Sequence, residues 1–384
     1  MRILDRQRYW AFLKAYFICF TALVGLYVVI DAFSNFDEFT KRAEGAQIPR
    51  VMARYYLIHM SEFYDRLCGV ISMMAAIFTV TWMQKNNELL AMLAAGISTH
   101  RVIRPVVISA IIVSSLAIAN QEFIMPRLGE ELQKSHDDDG TRLVRVFGRY
   151  DTNGVYIHGN DADRRAQVIR RFNATFPPEL FGAIRELAAD QALYIPESAA
   201  KMPLRGGWLL RGARMNQPVE GNSLKKGILI RLDNARGFPK PQGPLPELGH
   251  ETYFLYSGLT FETLTRNRQW YQYANTVDLI RGLSDPANEP ERLDIEVFLH
   301  TRILRPLLAV TLLCLSLPLV LGGYGRNMFI NLGFSLGTSA VFYAVVFTTQ
   351  YLGSHSVLSP ELSAWAPLIA FGTLAVARWD AIRT

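Results

Sequence analysis

Long uninterrupted apolar runs alternate with one long segment of mixed character. Six runs stand at 9–33, 67–83, 105–121, 306–325, 327–354 and 362–377. A membrane-spanning helix needs about 20 mostly apolar residues, with a range of about 17–25. The third run extends to about 124 past Glu122, the fifth is longer than one helix needs, and the sixth can start earlier. Lys14 and Asp31 flank the apolar stretch of the first run, which is too long for a signal peptide and lacks a small-residue cleavage site. A large soluble helical core could also bury such runs. Six of them, all outside one charged insert, argue for a membrane frame.

Between the third and fourth runs the period changes. Positions 143–150 (LVRVFGRY) and 154–159 (GVYIHG) alternate, and 168–176, 207–212 and 227–232 read as further short strands. Gly, Asn, Asp and Pro bound them. Many short antiparallel strands suggest a sandwich, a jelly roll or an open barrel. Proline-rich 239–246 (PKPQGPLP) and 284–290 (SDPANEP) are expected loops. The predicted organisation is three spans in 1–126, a strand-rich domain in 127–299, and three spans in 300–384.

Charge adds an orientation. Of 384 residues only 19% are charged and the net charge is +6, against about 25% charged in an average soluble domain. Residues 127–299 hold 23 basic and 23 acidic side chains, so the remaining 17 basic and 11 acidic groups carry the whole excess. A basic excess confined to the apolar part fits the positive-inside rule better than a nucleic-acid-binding face. One side has ten basic groups: Arg2, Arg6, Arg8, Lys14, Lys85, Arg101, Arg104, Arg326, Arg378 and Arg383. The short loops of the other side have four: Lys41, Arg42, Arg50 and Arg54. Both termini are therefore expected in the cytoplasm and 127–299 outside. The three cysteines, Cys19, Cys68 and Cys314, lie in apolar runs, so the exported segment has none to crosslink.

Enzymatic signatures are missing. GxxxxGK[ST], HExxH and CxxC do not occur, and no His/Cys cluster has metal spacing. Gly322-Gly323-Tyr324-Gly325 follows an apolar run rather than a strand, which suits a tight turn better than a phosphate cradle. His158 reads as a structural or surface histidine. Ionisable groups at membrane depth are functional candidates. Asp31 and Glu122 approach such depth, both near the outer ends of their spans, where an interfacial role serves equally.

Segment 84–100 (QKNNELLAMLAAGISTH) has Leu89, Leu90, Met92, Leu93 and Ile97 at helical spacing. Glu88 sits in the first turn, where it favours the helix dipole, and Gly96 permits a stop. Such a helix can lie on the membrane or insert into a partner's groove. Only Lys85 precedes it, which weakens the lipid alternative.

The ordered set of motifs resembles the LptF/LptG (YjgP/YjgQ) permease family of lipopolysaccharide export transporters. Ile3-Leu4-Asp5-Arg6 leads into span one, Asn87-Glu88-Leu89 precedes Ala94-Ala95-Gly96-Ile97-Ser98, and Pro126 closes span three. Ala199-Ala200 precedes Gly207-Trp208-Leu209-Leu210, and His300-Thr301-Arg302 with Pro306 opens span four. Tyr343, Gly353, Leu358-Ser359-Pro360 and Ala364-Trp365-Ala366-Pro367 complete the match, in which no single motif is specific. The Pro-rich loop 239–246 and the acidic Glu38 and Glu44 beside Lys41 and Arg42 depart from the best-known members.

The resemblance implies a six-helix inner-membrane permease with an inserted periplasmic β-jellyroll. It implies a paralogous F- or G-type partner, a cytoplasmic LptB-like ATPase dimer, and periplasmic LptC- and LptA-like jellyroll proteins. Lipopolysaccharide or a related glycolipid would be the cargo. No cofactor is expected in this chain, and ATP and magnesium belong to the ATPase. Residues 84–98 would be the coupling helix, with Glu88, Leu89, Leu93 and Gly96 as its working positions. Lys41 and Arg42 would meet lipid phosphates, or simply anchor at the interface. Spans one and five would line lateral gates, with Asp31 and Tyr343 as gate candidates. The opening LDRQRYW and Asp31 lean slightly toward the G type. The competing function is a membrane-anchored periplasmic binding or sensor protein with no ATPase partner.

Overall fold

The structure is a computed structural model that describes residues 3–42, 47–133, 143–199, 202–216, 227–232, 251–321 and 328–380. The chain starts with α1 (Ile3–Ser34), α2 (Phe36–Arg42), α3 (Ile48–Lys85), α4 (Glu88–Ala94) and α5 (Thr99–Ala119). A π-helical turn, Asn120–Ile124, then leads into α6 (Met125–Leu132). Strands follow: β1 (Val144–Arg145), β2 (Arg149–Tyr150), β3 (Tyr156–His158), β4 (Asp161–Asp163) and β5 (Val168–Phe176). After α7 (Pro178–Phe181) come β6 (Arg185–Ile195), β7 (Gly207–Met215), β8 (Leu229–Leu232) and β9 (Glu251–Tyr256). The chain closes with α8 (Phe261–Thr265), α9 (Thr276–Leu283), α10 (Arg292–Leu321), α11 (Met328–Ser354) and α12 (Pro360–Asp380).

Two compact units result: Met1–Asp137 with Tyr271–Leu279 and Leu293–Thr384, and Asp138–Trp270 with Ile280–Arg292. Among the described residues six helices are long and apolar enough to cross a membrane: Ile3–Ser34, Ile48–Lys85, Thr99–Gly129, Pro286–Leu321, Phe329–Ser354 and Pro360–Trp379. In the helical unit α3 is central. Its Ala75, Ala76 and Ile77 are fully buried, in one cluster with Phe12 of α1, Val106 of α5, Leu312 of α10 and Phe342 of α11. By contrast α1, α11 and α12 turn large apolar side chains outward, among them Phe17, Ile30, Phe347 and Ile369. Lipid can cover such surface; water would not tolerate so much of it. Several span hydroxyls are satisfied within their own helices. Thr79 donates to the Ala75 carbonyl at 2.7 Å and Ser114 to Ala110 at 2.9 Å, which removes the cost of an unmatched donor in hydrocarbon.

The helices outrun the uncharged stretches that predicted them. Within 34–62, expected as a loop, Phe36–Arg42 form α2 and the residues from Ile48 on form the first turns of α3. Ile48, Val51, Met52, Tyr55 and Tyr56 recur at helical spacing and pack with Phe39 of α2 and Val24 of α1. That amphipathic period passes unnoticed when only charge-free runs are counted. Likewise the third span does not close at Pro126, because the π turn and α6 carry its helical path onward.

The second unit is an antiparallel sheet with β-order 1-4-5-6-7-9-8, and β3 pairs with both β2 and β5. Its long strands alternate as period two requires. Phe172, Ala174, Leu187, Ala189, Trp208, Leu210 and Leu255 share one buried cluster, and the Trp208 indole donates to the Leu259 carbonyl at 3.0 Å. Leu209, Phe254 and Ile195 form a smaller cluster apart from it. Gly212, at φ +66°, sits where the β7–β9 register shifts between Leu210 and Ala213; a bulge there suits glycine, which adopts positive φ without strain. The expected strand 143–150 is broken into β1 and β2, since the Phe147 amide leaves the ladder to donate to the Leu264 carbonyl at 2.9 Å. The expected loop 239–246 lies outside the described residues.

Candidate functional site

Two places in the helical unit combine polar groups with a defined geometry. The first is α4. Asn87 enters it in the left-handed region (φ 60°), and Glu88 occupies its first turn. Leu89 is buried with Met83 of α3 and Val102 of α5, and Met92 and Ile97 pack beside them. Arg8 of α1 touches the Met92 sulfur and donates to the Val102 carbonyl at 3.4 Å. The helix ends in a Schellman motif: Ile97 N–H donates to Met92 at 3.0 Å and Gly96 N–H to Leu93 at 2.9 Å. Gly96 takes φ +78°, which any side chain would strain. The opposite face leaves Glu88, Leu90, Ala91, Leu93 and Ala94 exposed.

The second place is a polar belt across α3, the π turn and α10. From Glu62 to Lys85 along α3 is about 35 Å at 1.5 Å per residue, so the belt lies beyond one hydrocarbon thickness, roughly 30 Å, from the α4 end. Asp65 pairs with Arg305 at 2.6 Å, Glu62 with Arg66 at 2.5 Å, and Glu122 with Arg302 at 3.0 Å. Arg302 also donates to the carbonyls of Ala274 at 2.7 Å and Gln121 at 3.0 Å. Glu122 accepts from the Thr276 amide at 3.1 Å and from its hydroxyl. Asn120 and Ser61 exchange two bonds, at 2.8 and 3.0 Å. The π turn buries Asn120 and Gln121; single π turns inside helices often mark functional positions. Three carboxylates face three guanidiniums, so the belt is close to neutral. Tyr273 donates to Glu62 at 3.2 Å, and burial followed by that carboxylate pushes its pKa up to about 12.

Near the same end, Asp31 accepts from the Tyr56 hydroxyl at 2.9 Å and from Asn35 at 3.0 Å. From Tyr56 a run of ring contacts links Phe39, Tyr55, His59 and Phe63. Among the described residues no group of His, Cys, Asp or Glu is placed to hold a metal ion.

A sequence model described as lipopolysaccharide export system permease LptF/LptG matches residues 6–380. The chain belongs to the LptF/LptG family. A search of curated proteins finds no match. Members of this family are permease subunits of the lipopolysaccharide exporter and work in a complex with other Lpt components. With six apolar helices, the chain is a multi-pass inner-membrane protein of that family.

Within this LptF/LptG chain the predicted site residues fall in separate places. Glu88 and Leu93 share the exposed face of α4, Leu89 anchors its inner face, and Gly96 ends it. Asp31 meets α3 at Tyr56, whereas the Tyr343 hydroxyl abuts Gly69 of α3. Thirteen residues of α3, about 20 Å, separate those two stations. Lys41 and Arg42 end α2, and their side chains lie outside the described residues. Of the polar belt, the sequence marks Glu122 as a candidate at membrane depth and Arg302 only as part of the His300-Thr301-Arg302 motif. Glu62, Asp65, Arg302 and Arg305 stand just outside the uncharged runs that began at Leu67 and Pro306. Their i, i+3 spacing, once the helices are extended outward, is the signal that reveals them.

Proposed function

We propose that this chain is the non-catalytic transmembrane subunit of an ATP-driven lipid extractor, pairing with a paralogous permease and docking a cytoplasmic ATPase dimer on α4. One observation carries the proposal. α4 offers Leu90, Leu93 and Glu88 to a partner while buried Leu89 and the Gly96 stop hold it against α3 and α5. A short apolar face beside one acid, on a rigid base, suits insertion into a protein groove. The ten-to-four distribution of basic groups supports placing α4 in the cytoplasm. ATP and magnesium belong to the ATPase, whose closure would push α4 and so move α3 and α5.

On this proposal α1 and α11 flank the lateral gates, with Asp31 and Tyr343 at their contacts to α3. The sheet unit is a periplasmic jellyroll that receives lipopolysaccharide and passes it to LptC- and LptA-like jellyrolls. Lys41 and Arg42 meet the lipid phosphates, for which fixed cations are strong charge-assisted donors. Of the two subunit types, the LDRQRYW opening and Asp31 favour the G type.

The deciding experiment is co-purification. Glu88→Lys should lower ATPase retention by at least about tenfold, roughly 1.4 kcal/mol, while membrane insertion and the paralogous partner stay. Undiminished retention would remove α4 as the docking element. Lys41→Glu with Arg42→Glu should reduce photocrosslinking to lipopolysaccharide; equal crosslinking assigns those two residues to interfacial anchoring.

A further inference from the structure

Within the helical unit α10, α11 and α12 line an open apolar cavity of about 790 Å³. Leu315, Phe334 and Phe371 wall it, Gly333 and Gly337 form part of its floor, and Arg378 stands at one end. That end is the α4 end. Next to Arg378, the Trp379 ring lies 5.7 Å from the His100 ring at the start of α5. A Cβ placed on Gly333 or Gly337 would meet no atom within 4 Å. The glycines therefore open space to an occupant and do not admit a neighbouring helix of this chain.

Size, depth and charge all bear on the occupant. The volume lies within the roughly 300–1,000 Å³ of small-molecule sites. Along α11 the lining runs from Ile330 to Val341, a rise of about 16 Å, or half of a roughly 30 Å hydrocarbon core. That is the depth of one leaflet. The Thr338 hydroxyl is turned back to the Phe334 carbonyl at 2.9 Å, so the cavity asks for no polar partner along its length. Arg378 is exposed, with no hydrogen bond or ion pair to another described residue. Its stem can lie along apolar surface while its guanidinium reaches the interface.

We infer that the cavity binds an acyl chain of a phospholipid from the leaflet at the α4 end, with Arg378 on its anionic headgroup. A guanidinium matches phosphate geometry with two parallel donors. A packed helix is the other natural occupant of a Gly333-x-x-x-Gly337 face, but it would lay apolar side chains against Arg378 and bring no anion. The inference rests on the helices lying in a membrane and is independent of what docks on α4.

Native mass spectrometry tests it on the purified permease complex, stripped of lipid and resupplied with phosphatidylglycerol or phosphatidylethanolamine. The unmodified complex should hold one more phospholipid than Gly337→Leu, whose side chain fills the cavity. It should prefer phosphatidylglycerol by roughly tenfold, the scale of one charge-assisted contact. Arg378→Gln should keep the lipid and lose the preference. Gly337→Ala, the milder filling, should assemble normally and hold lipid less tightly. Equal lipid retention in either Gly337 variant overturns the site. An unchanged preference in Arg378→Gln overturns the headgroup contact. Loss of the paralogous subunit from Gly337→Leu with unaltered lipid content overturns the proposal in favour of a packed helix.

Discussion

Replacing Arg302 by methionine is the sharpest test of the polar belt. The side chain is 4% exposed and its guanidinium serves three acceptors, Glu122 at 3.0 Å, Ala274 at 2.7 Å and Gln121 at 3.0 Å. Methionine keeps the apolar stem and removes every donor. Breaking a buried pair by removing one partner costs about 3–5 kcal/mol. Glu122 is 27% exposed and keeps its bonds from Thr276, which favours the lower end, about 3 kcal/mol. Glu122→Gln should cost less, roughly 1–2 kcal/mol, because a neutral acceptor remains for Thr276 and Arg302. Combining the two removes the stranded carboxylate, so the double variant should cost about 1–2 kcal/mol less than the sum. Denaturant titration of the purified complex in detergent reads all three differences. If Arg302→Met costs less than about 1 kcal/mol, or the costs add within about 0.5 kcal/mol, the pair is no energetic unit and the belt does not join α10 to the π turn.

Tyr273→Phe removes the hydroxyl bonded to Glu62 at 3.2 Å and should cost about 1–3 kcal/mol near neutral pH. The folded-state pKa is raised to about 12, so the unmodified protein has this stabilisation in full below pH 10 and loses it as pH rises through about 12. The variant's melting temperature should therefore fall less steeply over that window; parallel profiles would exclude Tyr273 as the source. In the sheet unit, fully buried Arg149 donates to Glu291 at 2.8 Å and to the Ala287 carbonyl at 2.7 Å. Arg266 lies nearby, 3.7 Å over the Trp270 ring, with its pKa lowered to about 10 by burial and then by the charge of Arg149. Glu291→Ala leaves buried Arg149 without its carboxylate and should cost about 3–5 kcal/mol, while Arg149→Met with Glu291→Leu should recover most of it. Limited proteolysis of the full chain measures the difference; equal protection of all three forms would mean the pair holds nothing.

Residues in chain order were enough to place the six spans and the strand-rich insert. Burying a hydrocarbon-length helix requires an apolar run, and that requirement is local. The α4 helix was legible for the same reason, since Leu89, Leu93 and Gly96 mark its two faces and its stop within a dozen residues. In the insert, β6 was not recognised, because RELAADQALYI is rich in alanine and acidic residues that rarely favour strands; pairing with β5 and β7 on both sides decides it. The polar belt depended on tertiary structure still more. Asp65 and Arg305 are 240 positions apart, and Glu122 meets Arg302 across 180. Nothing local distinguishes such charges from ordinary interfacial ones until the helices pack and remove them from water. The cavity beside Gly333 and Gly337 has the same origin. The glycines are visible in the chain, but open space in front of them exists only because α10 and α12 stand where they do. Periodicity and charge are properties of neighbours in sequence, whereas ion pairs, buried carboxylates and cavities are properties of neighbours in space.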